Sequence, residues 1–184
     1  MDSLQTAPVP PNHTPEGGVL IGEENARRRL LLFEDPQCPY CRQFEAASGD
    51  LLRREVAKGD VAVEYRMRCF LGVESVRADN ALALAAEFGR FDELRREIFA
   101  AQPPENSGGF TVADLTELGR RAGLTSPDYV TGLSEGRYEA WVVEIDQAFQ
   151  KQDPRGTPAA LLDGLEVNPR SLFDPDSLGS LLRA

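Results

Sequence analysis

The chain has 184 residues, 41% of them hydrophobic, enough for one sizeable core and a single domain or a domain with an insertion. A net charge of −10 offers no attraction to nucleic acid or anionic lipid, and no apolar run approaches the ~18 residues of a membrane-spanning helix. Three cysteines are too few for a disulfide-stapled scaffold, and the single histidine, His13, leaves neither a Ser/His/Asp triad nor a histidine-rich zinc site.

Residues 1–17 carry Pro8, Pro10, Pro11 and Pro15, the composition of a flexible lead-in, so residues 18–184 are expected to form the single folded domain. Val19 to Ile21 is a short apolar run. Leu30-Leu31-Leu32-Phe33 is a continuous one that reads as a central strand covered on both faces, ending at Asp35-Pro36. From Cys41, Phe44, Ala47, Leu51, Leu52 and Val56 recur at helical spacing up to Lys58-Gly59, with Gly49 a point of interruption. Asp60 to Arg68 alternates and predicts a half-buried strand.

From about 75 to 153 the pattern predicts a helical block, with helices at 76–88, 91–101, 111–122, 127–135 and 138–151, and Thr111 and Asp114 set for a capping box. After Gly156-Thr157-Pro158, two short apolar runs flank Asp163-Gly164, a hairpin signal, and Asp174-Pro175 opens a last helix.

The chemistry lies in Cys38-Pro39-Tyr40-Cys41, directly after the central strand. Cysteines at i and i+3 in a first helical turn have side-chain roots about 5–6 Å apart, within disulfide reach. Closing so short a ring stabilises by only about 2 kcal/mol, against roughly 3.5 for a Cys41–Cys69 bond, so the pair suits exchange better than stapling. At the helix start Cys38 meets unpaired N–H groups and the positive end of the helix dipole, which favour a thiolate. Cys38 is then the attacking sulfur, and Cys41, one turn inside, the resolving thiol. A metal site is not expected, because Cys69 is the only other thiol; Cys69 itself reads as a small buried residue.

Gly22-Glu23-Glu24-Asn25-Ala26, Phe33-Glu34-Asp35-Pro36-Gln37 leading into the dithiol, and Gly156-Thr157-Pro158 together resemble the DsbA-like branch of the thioredoxin superfamily over residues 18–184. The resemblance implies an α/β thioredoxin-like fold with a helical insertion. It also implies a cis Pro158 facing the sulfurs, Thr157 offering backbone groups to an extended substrate, and Pro39 and Tyr40 at the substrate face. A buried acid that moves protons for the inner cysteine is implied as well, for which Asp35, beside Glu34, is the candidate.

The expected activity is disulfide exchange with protein substrates, needing no cofactor beyond the Cys38–Cys41 disulfide. The expected partners are protein or peptide thiols and a redox-partner protein or low-molecular-weight thiol. Pro39-Tyr40 lacks a histidine that would stabilise the Cys38 thiolate, so a moderate oxidant is expected. Alternatives are a non-catalytic redox-sensing module and a glutathione-dependent small-molecule enzyme. The chain is expected to be a monomer. Without a short apolar signal core it is expected in the cytoplasm, or outside it if trimmed from an exported or anchored protein.

Overall fold

The computed structural model describes residues 8–152 and 156–184. In chain order the elements are β1 (Val19–Ile21), β2 (Arg28–Glu34), α1 (Pro39–Phe44), a π-helical turn (Glu45–Gly49), α2 (Asp50–Ala57) and β3 (Val61–Met67). The helical block follows as α3 (Val73–Glu87), α4 (Phe91–Ala100), α5 (Val112–Arg121), α6 (Pro127–Glu135) and α7 (Glu139–Gln152). The chain then forms β4 (Ala159–Leu162), β5 (Leu165–Glu166), α8 (Pro169–Leu172) and α9 (Pro175–Arg183).

The sheet runs β1-β3-β2-β4-β5, with β2 and β3 parallel and the other pairs antiparallel. β2 is central: Leu30 faces Val63 on one side and Leu162 on the other, and Leu30, Leu32 and Phe33 are sealed from solvent. Its C-terminal end therefore delivers Glu34, Asp35 and the dithiol at a fixed place beneath the helical block. The hairpin at Asp163-Gly164 forms with both residues at positive φ (50° and 82°), and Thr111 and Asp114 complete the capping box of α5.

Two expectations give way to tertiary cover. The alternation of β3 predicted one solvated face, yet all seven of its residues are buried. Its polar side chains are compensated: Arg66 pairs with Glu64 at 3.0 Å and lies over the rings of Phe33 and Phe149, the latter brought in by α7. The second concerns the proline-rich lead-in, whose residues 1–7 lie outside the described ones. Within residues 8–17, the Thr14 hydroxyl donates to Glu64 at 3.0 Å, His13 meets the Trp141 ring edge-on at 5.8 Å, and Gly17 (φ 89°) is buried against Ile145. The end of the insertion near 153 also falls outside the described residues.

Candidate active site

β2 ends in a turn that Asp35 organises. Its carboxylate accepts from the Gln37 N–H (2.9 Å), the Leu71 N–H (3.1 Å) and the Ser75 hydroxyl (2.6 Å). Burial nevertheless pushes its pKa up to about 6, with those three bonds opposing. The turn places Cys38 at the N-cap of α1 in extended conformation (φ −69°, ψ 117°), with Pro39 in the first helical turn, where a missing N–H costs nothing.

Cys38 and Cys41 thus share one helical turn but differ in environment. Cys38 keeps 5% of its surface exposed and Cys41 none; the two form a small apolar cluster with Phe99, against which Leu71 packs. The Cys38 pKa is drawn down to about 6, first by hydrogen bonding from the Cys41 thiol, then by Thr157 and the backbone N–H groups of Cys41 and Tyr40, against the opposing effect of burial. Cys41 moves the other way, held well above its ordinary value by burial, by its bond to Cys38 and by the charge of Glu34. These surroundings favour the anion at the outer sulfur and the protonated thiol at the inner one.

The Thr157-Pro158 peptide is cis, and the Thr157 carbonyl oxygen lies 3.2 Å from Cys38 Sγ. Apart from Cys38, whose pKa it lowers, the Thr157 hydroxyl has no hydrogen-bond partner among the described residues. Pro39 is exposed, and Tyr40 has 60% of its surface in solvent. Every residue read from the sequence as catalytic or substrate-binding therefore lies on the dithiol turn or on the loop facing it. Cys69, just past β3, is buried, with its thiol pushed far up by burial and by the carboxylates of Asp79 and Asp146.

Glu34 is the acid whose charge raises the Cys41 thiol most, while Asp35, just past the end of β2, is taken up by Gln37, Leu71 and Ser75. Glu34 is held bidentate by Arg95 of α4, both contacts 2.7 Å. Arg95 in turn lies between the rings of Tyr65 (4.7 Å) and Phe99 (5.1 Å). Burial raises the Glu34 pKa more than Arg95 lowers it. Arg95 gave a signal in the sequence: it occupies the inward stripe of α4 with Phe91, Leu94 and Ile98.

Two amides tie the turn to the helical block. Gln102 Nε2 donates to the carbonyls of Pro36 (2.7 Å) and Cys38 (3.0 Å), and Gln37 Oε1 accepts from the Asn106 N–H (2.9 Å). No sequence pattern marks Gln102, and Gln37 stands in the sequence only as part of the motif that leads into the dithiol. Among the described residues, no group of three or more His, Cys, Asp or Glu side chains is arranged to hold a metal ion, and no helix is long and apolar enough to cross a membrane.

A dithiol at a helix start, an opposing cis-proline loop and a mixed sheet interrupted by helices define a thioredoxin-like fold of the DsbA type. A family profile described as Thioredoxin matches residues 14–182, and the chain belongs to that family. It is 22% identical over 157 residues to the thiol:disulfide interchange protein DsbA of Yersinia pestis, covering 84% of this chain and 75% of that protein. BdbD from Bacillus subtilis superposes with TM-score 0.80 at 20% identity, over 97% of both chains. The thiol-disulfide oxidoreductase MdbA of Actinomyces oris superposes with TM-score 0.81 at 20% identity, over 97% of this chain and 90% of its own.

Proposed function

We propose that the protein is a thiol-disulfide oxidoreductase acting on protein substrates, with Cys38 as the exchanging sulfur and Cys41 as the resolving one. The observation that carries this reading is a pair of thiols in a single helical turn, the outer facing the cis-Pro158 loop and the inner sealed from solvent, in surroundings that shift their ionisation in opposite directions. A substrate disulfide accepts the Cys38 thiolate, a mixed disulfide forms, and Cys41 attacks Cys38 Sγ to expel the substrate thiolate. With the protein oxidised, the same steps run in reverse and oxidise a substrate dithiol.

Thr157 and Pro158 are read as the backbone edge for an extended substrate, since the loop lies against Cys38 Sγ. Tyr40, together with Phe70 and Val73 on either side of Leu71, leaves exposed apolar surface beside the dithiol, which suits unfolded chains more than a small polar thiol. Asp35 is read as the organiser of the turn and Glu34 as the acid that serves Cys41. Both sulfurs, Thr157 and Pro158 come from one chain, so the reading needs no second copy, and it needs no bound cofactor. Disulfide formation is sustained in oxidising compartments, so an extracytoplasmic setting replaces the cytoplasmic expectation.

Turnover with a reduced, unfolded protein tests the reading. Cys38→Ser is expected to abolish exchange and Cys41→Ser to accumulate mixed disulfides. Normal turnover in the Cys38 variant would refute it.

A further inference from the structure

A cleft of about 330 Å³ opens where α1, the π-helical turn and α2 meet α4. Its volume falls at the lower end of the roughly 300–1,000 Å³ span of ligand sites. Phe99 of α4 lines this cleft and also packs in the small apolar cluster of Cys38 and Cys41, so the cleft adjoins the dithiol. The lining includes no residue of the Thr157-Pro158 loop, which sets the cleft apart from the backbone edge assigned above.

The charges that line it are unevenly committed. Glu45 is held by Arg53 (2.7 Å) and Arg95 (2.5 Å), Asp50 by Arg53 (2.7 Å), and Glu97 by Arg121. Arg42 of α1 and Arg96 of α4 are exposed, and neither has an ion pair or a side-chain hydrogen bond among the described residues. Arg96 acts on Asp50 and Asp92 only from a distance, and Asp92 itself lies 3.8 Å from both Arg53 and Arg95. Every carboxylate of the lining therefore has its cation. What remains to meet a ligand is two guanidinium groups around an apolar floor of Phe99, Ala46 and Ala100.

Spacing along the chain fixes where one of these cations stands. Arg42 follows Cys38 by four residues, which sets it on the same face of α1 one turn along, with side-chain roots about 5–6 Å apart. An extended peptide advances about 3.3 Å per residue, so a chain joined to Cys38 through its own cysteine brings a side chain about two or three residues away over Arg42.

We propose that the cleft is a carboxylate subsite of the exchange reaction, in which Arg42 and Arg96 hold an Asp or Glu side chain two or three residues from the reacting cysteine of a polypeptide. The proposal rests on the exchange chemistry proposed above. Guanidinium forks match carboxylates in shape and charge, and the apolar floor suits the methylenes of the acidic side chain. The net charge of −10 repels an acidic segment at long range, so local cations beside the sulfur decide whether such a substrate is accepted.

The test uses the oxidised protein and two reduced dicysteine peptides. They are identical except that glutamates two and three residues to either side of one cysteine in the first are glutamines in the second. Rate constants for peptide oxidation are read by acid quench and thiol counting, and expressed as the glutamate-to-glutamine ratio. Dividing the wild-type ratio by that of Arg42→Ala/Arg96→Ala cancels the effect of the glutamates on the peptide's own thiols. That quotient is expected to be on the order of 5-fold, the worth of two exposed ion pairs. Taken against Arg42→Glu/Arg96→Glu it should be larger. A quotient of one would overturn the proposal. An unchanged peptide ratio with slower reaction of glutathione, a small thiol carrying two carboxylates, would also overturn it and assign the cleft to small thiols.

Should the double variants fail to fold, binding decides. A cysteine-free glutamate peptide is expected to shift the Arg42 and Arg96 side-chain NMR signals of the wild type, and the glutamine peptide to leave them in place; equal response to both would overturn the subsite. If the wild type oxidised neither cysteine peptide while the cysteine-free one still shifted those signals, the proposed function would fail and the subsite would stand.

Discussion

Cys38 Sγ lies 3.2 Å from the carbonyl oxygen of Thr157, a residue 119 positions further along the chain. The contact joins the start of α1 to the loop entering β4, two segments that the central strand β2 holds side by side. It places the exchanging sulfur against a backbone edge and beside a hydroxyl without other partners.

Thr157→Val preserves shape and removes that hydroxyl. Because Thr157 helps to lower the Cys38 pKa to about 6, the variant's thiolate absorbance is expected to titrate at higher pH than the wild type. An unchanged midpoint would assign the lowering to Cys41 and the helix start alone.

Stability of the reduced protein should depend on pH in a defined direction. Cys38 is depressed on folding, so its stabilising contribution is complete above the ordinary thiol value of roughly 8.5 and is lost as pH falls through about 6. Cys41 is raised, so its contribution is complete below the ordinary value and is lost only as pH rises through its own higher one. Between these limits Cys38 dominates. The urea midpoint of the reduced protein is expected to rise with pH across that window relative to the oxidised protein.

Arg95 is the cation beneath the site, bonded twice to Glu34 and once to Glu45. Arg95→Met strands two carboxylates in a low-dielectric setting and is expected to cost about 3–5 kcal/mol in urea unfolding. Adding Glu34→Gln should recover part of that loss, a coupling that a double-mutant cycle reads directly.

Gln102 donates to two carbonyls of the active-site turn. Gln102→Ala is expected to cost about 1–3 kcal/mol by leaving those acceptors unpaired. Gln102→Glu sets a carboxylate against them, so it should be worse than alanine at neutral pH and improve as pH falls and the acid protonates. Equal stability of the two variants throughout would show that the amide does not clamp the turn.

Much of this was legible from sequence because it is local. The unbroken apolar run of β2, the capping box at Thr111, the Asp163-Gly164 hairpin and the dithiol spacing each depend on neighbours within a few residues. The burial of Glu64 and Arg66 was not, because it follows from cover supplied by Thr14 and Phe149, remote in the chain. The residues supporting the dithiol were missed for the same reason. Glu34 and Asp35 are adjacent, and only the arrival of Arg95 at the one and of Leu71 and Ser75 at the other gives them different partners. Asp79 stands between Ala78 and Asn80 in α3, and nothing in its spacing shows that it shares a cavity with Glu34.

The central claim is that the outer sulfur is an anion at neutral pH while the other thiols are not. Brief iodoacetamide labelling of the reduced protein across a pH series, with each cysteine quantified by peptide mass spectrometry, measures this at every site. Modification should fall on Cys38 with a midpoint near 6, leaving Cys41 and Cys69 unlabelled. A Cys38 midpoint near the ordinary thiol value of about 8.5, or faster labelling of Cys41, would contradict the account.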